Sequence, residues 1–129
     1  MSYLFLAGRF LFGGFFVVAG LRHFIQLPGM AAYAASKRVP APRLAVLGAG
    51  LLAVLGGLSV ALGAWPRCGV GLLALFLVPV SFMMHNYWAD PDPQSRELNQ
   101  VQFMKNMALM GADLMLLAIP EPWEWGLGR

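Results

Sequence analysis

Charge is what this chain has least of. Only 12% of its 129 residues are Asp, Glu, Lys or Arg, against about a quarter in an ordinary soluble domain. So little polar surface cannot clothe a water-soluble fold. Cysteine is nearly missing as well. The single Cys68 excludes an internal disulfide and a CxxC redox pair, and reads as a small apolar packing residue. The net charge of +3 is spread over loops with no basic patch of interleaved aromatics, which excludes a nucleic-acid partner. No metal is expected. His85, Asp90 and Asp92 are close in sequence, but Pro91 and Pro93 hold the carboxylates in an extended segment. The eight methionines read as flexible packing rather than a copper site.

What the chain has in abundance is apolar length: 59% of it is hydrophobic. Four runs stand out, at about 4–24, 44–65, 68–85 and 101–119. A membrane-spanning helix needs roughly 20 mostly apolar residues, with about 17 as the short limit, and all four qualify. The connections between them are short, so neighbouring helices must be antiparallel. The expected fold is all-α: a single domain, 1–129, forming an antiparallel four-helix transmembrane bundle. A retained first helix is expected rather than a cleaved leader, because only Met-Ser-Tyr precedes it and Arg9 interrupts it. In the first loop, "GMAAYAASKR" between Pro28 and Pro40 predicts a short interfacial helix lying on the membrane surface, without a site of its own.

Positive charge orients the bundle. Arg22, Lys37, Arg38, Arg43, Arg96 and Lys105 fall on the side of the first and third loops; Arg9, Arg67 and Arg129 fall on the other. Positively charged loops stay in the cytoplasm. Both termini are therefore expected outside, in a bacterial or archaeal inner membrane.

Polar groups within hydrocarbon are costly and need partners. Arg9 and Asp113 lie at similar depth by residue count, at about 1.5 Å per residue, so an intramembrane ion pair between the first and last spans is expected. Arg9, Gly13, Phe16, Gly20 and His23 share one helix face; Gln102, Asn106, Leu109 and Asp113 share another, with Lys105 beside it. These faces are expected to look at each other. Ala49, Ala53, Gly57 and Ala61 form a small-residue strip for close packing.

His23 and His85 end the first and third runs on one side, with Trp88, Asp90, Gln102, Lys105 and Asn106 nearby. This cleft suits a quinone ring, which a histidine and a carboxylate could bind and protonate at the membrane edge. A haem held by the two histidines lacks the expected inner-helix placement. Taken singly, the same residues could instead satisfy helix ends and anchor the interface.

Several stretches resemble the DoxX family of small four-span membrane proteins. They are "GRFLFGGFFVVAGLRHF", "VPAPRLAVLGAGLLAVLGG", "HNYWADPD" and "NQVQFMKNMALMG". Arg9, His85, Trp88, Asp90, Phe103, Lys105 and Asn106 match the family pattern. Two departures stand out: Ala53 occupies the position of a frequent family glutamate, and Asp113 follows Gly111-Ala112 where the family continues Gly-Gly-Leu. Asp113 is expected to replace that glutamate as the partner of Arg9. The family is named from a subunit linked to thiosulfate:quinone oxidoreduction, so the resemblance implies a quinone- or redox-associated membrane subunit. The alternative is a non-enzymatic accessory subunit that stabilises a larger membrane complex. Lipid and a protein partner, or further copies of the chain, are the expected partners; no catalytic residue is assigned.

Overall fold

The computed structural model describes residues 2–127. Among them the chain is all-helical, without a strand. Helix α1 runs Ser2–Ile25, α2 Leu27–Ser36, α3 Pro42–Leu62, α4 Pro66–Met84 and α5 Pro93–Met115. Short 3-10 turns occupy Tyr87–Ala89 and Leu116–Ala118.

Local chemistry accounts for the boundaries. Pro42, Pro66 and Pro93 each open a helix in its first turn, where a missing N–H breaks no bond. The Asp92 carboxylate caps α5 by accepting the Ser95 N–H at 3.0 Å. "ADPDP" thus starts α5 as its composition predicts, but it does not end α4, which stops earlier, at Met84. Gly63 closes α3 at φ +65°, a left-handed conformation that glycine adopts without a Cβ penalty.

Three helical stretches, Tyr3–Ile25, Pro42–Leu62 and Pro66–Ala89, are long and apolar enough to cross a membrane. The fourth expected span lies on α5, which is not one of them. That helix starts at Pro93 rather than Val101, and Asn99, Gln100, Gln102 and Asn106 dilute its apolar character. The short helix expected in the first loop is α2.

Helix α1 packs chiefly on α3, α3 on α4, and α4 on α5. The α1–α3 seam depends on missing side chains. A Cβ on Gly13 would lie 2.8 Å from the Ala61 nitrogen and closer still to the Gly57 carbonyl oxygen. A Cβ on Gly20 would lie 2.6 Å from the Gly50 carbonyl oxygen. The small-residue strip on α3 therefore packs as expected. The face of α1 carrying Arg9, Gly13, Phe16 and Gly20 is buried, but it meets α3, not the last helix. Lipid is as apolar as leucine, so close backbone approach decides which helices pair, and the glycines of α1 and α3 allow it.

Phe16, Ala53, Val60, Leu73, Phe76, Leu77 and Trp123 form the core. Leu4, Leu11, Leu44, Val101 and Met115 point outward and are exposed, an apolar exterior suited to a lipid bilayer. Beyond Ala118 the chain folds back, and the Leu127 N–H donates to the Leu62 carbonyl at 3.0 Å. Trp123 is buried there against Phe5, ring centroids 5.0 Å apart.

Candidate functional site

The last turn of α1 carries His23. Its Nδ1 lies 2.7 Å from the Ala19 carbonyl oxygen one turn back, and its ring stands edge-on to Phe76 at 5.6 Å. A carbonyl only accepts, so the proton is on Nδ1.

His85 follows the end of α4 and belongs to a larger network. Its Nδ1 is 3.1 Å from Asn99 Oδ1. The Asn99 amide donates to Asp90 Oδ2 at 3.1 Å and to the Tyr33 hydroxyl oxygen at 3.4 Å. Tyr33 in turn donates to the Met84 carbonyl at 3.0 Å. Asp90 also accepts the Ser95 hydroxyl at 2.6 Å, and Arg96 donates to its backbone carbonyl through Nε at 3.0 Å and Nη2 at 2.8 Å. The Ser95 hydrogen bond, with further donors from the Asp92 N–H and Asn99, holds the Asp90 carboxyl below the usual carboxylate range. Lys37 joins α2 to the end of α4 by donating to Asn86 Oδ1 at 2.9 Å. Four segments meet at this network, and its linked hydrogen bonds rigidify it.

A cavity of about 780 Å³ opens beside the two imidazoles. His23, His85, Gln102, Lys105 and Asn106 all line it, so five of the seven residues expected in the cleft share one space. Its walls are mainly apolar, including Val18, Phe76, Leu77 and Val80. Lys105 donates to Gln102 Oε1 at 2.7 Å and lies 5.3 Å from the centre of the Phe15 ring. Asn106 is buried on the cavity wall.

The other two expected residues stand apart. Trp88 joins an aromatic cluster with Phe82, Tyr87 and Phe103, at ring separations of 6.0, 5.3 and 5.3 Å. Asp90 reaches the cavity only indirectly, through Asn99, which contacts both His85 and Tyr33. Helix α2 is more than a surface helix without a site: Gly29, Met30, Tyr33 and Ala34 form part of the cavity wall.

Arg9 and Asp113 are both buried, yet the expected ion pair is not made. Arg9 Nη1 donates to the Glu124 carbonyl at 2.6 Å, and Nη2 to the carbonyls of Ala61 at 3.3 Å and Trp125 at 3.4 Å. Neither oxygen of Asp113 has a hydrogen-bond partner among the described residues. Similar depth along the membrane does not bring two side chains together when their helices are not neighbours. The returning C-terminal segment, with its carbonyls, lies within reach of Arg9 instead.

Tyr33 and Asn99 are the residues that sequence reasoning missed. Asn99 extends the amide face of Gln102, Asn106 and Asp113 one turn towards the N-terminus, and that spacing could have found it. Nothing local in "AYAAS" marks Tyr33, whose partner Met84 is remote in sequence.

Searches of curated proteins and of solved structures returned no match. The DoxX family model matches residues 4–86, which contain nearly all of α1, the whole of α2 to α4, and Arg9, His23 and His85. The resemblance seen in "NQVQFMKN" lies beyond that match. Spanning more than half of the chain, the match places this membrane protein in the DoxX family.

Proposed function

We propose that this protein is a redox-associated membrane subunit whose cavity receives the ring of a quinone. One observation carries the reading: a cavity of about 780 Å³ with apolar walls collects both histidines, Lys105, Gln102 and Asn106. Small-molecule sites hold roughly 300–1,000 Å³ and combine such walls with a few convergent polar groups. A quinone matches that division, with an apolar body and two oxygens that exchange protons. The electrons are exchanged with a redox partner protein, since redox chemistry of this kind resides in cofactors rather than side chains.

In this reading α5 crosses the membrane as a fourth, more polar span and completes an antiparallel bundle. Its amide face is turned inward, away from lipid. The cavity then faces the cytoplasm of a bacterial or archaeal cell, with both termini outside.

The alternative, an accessory subunit that packs against a larger complex, is favoured by the many exposed leucines and aromatic residues. Gentle purification from the native membrane, followed by solvent extraction, separates the two. A quinone in near-stoichiometric amount, lost in His85→Phe, is the expected result. Absence of quinone together with co-purification of a larger complex would reject the redox reading for the accessory one.

A further inference from the structure

We infer that the cavity holds the hydroquinone form of its ligand in preference to the quinone, and that Asn99 is the positioning residue that imposes this choice; the inference rests on the quinone reading above. A carboxylate only accepts hydrogen bonds, so Asn99 must turn its NH2 group to Asp90, 3.1 Å away. That leaves Asn99 Oδ1 facing His85 Nδ1 at 3.1 Å. A carbonyl oxygen also only accepts, so the neutral His85 ring carries its proton on Nδ1.

His23 reaches the same state by a different route, through the Ala19 carbonyl at 2.7 Å. Each ring therefore keeps a lone pair on Nε2, which has no hydrogen-bond partner among the described residues. Both rings line the one cavity.

The two forms of the ligand differ in what they offer those lone pairs. A quinone carbonyl brings only lone pairs of its own, whereas a hydroquinone hydroxyl brings a proton. Lys105, a donor, does not discriminate, because carbonyl and hydroxyl oxygens both accept, and neither does the Asn106 amide, which can present an NH2 group or an oxygen. Discrimination falls on the two acceptors, and an acceptor left unpaired in a confined site weakens binding about tenfold or more.

The test uses the full-length protein in detergent micelles at about pH 8, above the ordinary imidazole range. Duroquinone and its hydroquinone, kept under argon, are compared by equilibrium dialysis, and the imidazole nitrogens are observed by 15N NMR. Hydroquinone is expected to bind about tenfold more tightly. Asn99→Leu, which frees the His85 ring to exchange tautomers, is expected to reduce that ratio several-fold. The NMR spectrum of the unmodified protein is expected to show protonated Nδ1 and bare Nε2 in both histidines. Equal or tighter binding of duroquinone overturns the inference and leaves the quinone reading standing. A protonated Nε2 on His85 overturns it without reference to any ligand or variant. If the tautomers are as expected but neither compound binds, the quinone reading fails and takes the inference with it.

Discussion

Arg9 and Asp113 are both buried and do not meet. Arg9 instead ties the returning C-terminal segment to α3, donating to the carbonyls of Glu124 and Trp125 in the one and of Ala61 in the other. Arg9→Met is expected to destabilise the protein by about 2–4 kcal/mol, since each hydrogen bond to a charged group contributes roughly 1.5–3 kcal/mol and two of these are long. Proteolysis after Pro120 should accelerate in parallel, as seen by mass spectrometry. Asp113, with no partner for either oxygen among the described residues, should tolerate replacement. Asp113→Leu is expected to be neutral or to stabilise by about 1–3 kcal/mol in thermal melts. A loss of several kcal/mol would instead reveal a charge partner.

Asp90 gives a pH dependence at the same scale. Its hydrogen bonds hold the folded-state value below the ordinary carboxylate value of about 3.9. The resulting stabilisation is fully present above that ordinary value and is lost as pH falls through the lowered one. The gap in melting temperature between the unmodified protein and Asp90→Asn should therefore be widest at about pH 6 and shrink below about pH 4. A gap that grows on acidification would contradict the network. His23 and His85 stood out in the sequence as lone imidazoles at the ends of apolar runs. Their shared cavity did not, because it depends on how α1 and α4 are placed around it.

Among the elements, the α1–α3 seam is the most exacting. Gly57 accepts no side chain: an added Cβ would lie 2.5 Å from the Gly13 carbonyl oxygen and 3.0 Å from the Phe16 Cβ. Overpacking of this kind costs about 1–3 kcal/mol. Gly57→Ala should lower the melting temperature accordingly. Gly14, one residue from the seam, has nothing within 4 Å of an added Cβ. Gly14→Ala should gain up to about 1 kcal/mol from backbone entropy. If the two variants melt alike, the seam is not where it is placed here.

Helix positions were legible at this scale because hydrophobic length and proline placement act locally. α2 was visible in "GMAAYAASKR" for the same reason. Its contribution to the cavity wall was not, since Tyr33 finds its partners on α4 and α5. The choice of α3 as the neighbour of α1 was half legible: both glycine stripes could be read, but their mating could not.

For the molecule as a whole, orientation is the open prediction. Cys68 is the single cysteine and is exposed in the first turn of α4, on the side assigned to the termini. In intact cells a membrane-impermeant maleimide should label it without permeabilisation. Labelling only after permeabilisation would invert the proposed topology.

By itself the sequence determined the membrane as solvent, the helical class and the boundaries of most helices. These follow from short-range chemistry: apolar length, proline and glycine positions, and the scarcity of charge. Only the tertiary structure decided the partners. It gave Arg9 to the C-terminal carbonyls, left Asp113 unpaired, set Trp88 among aromatic rings and linked Asp90 to His85 through Asn99. Each outcome depends on which helix faces which, and in lipid that is settled by close backbone approach between residues far apart in the chain.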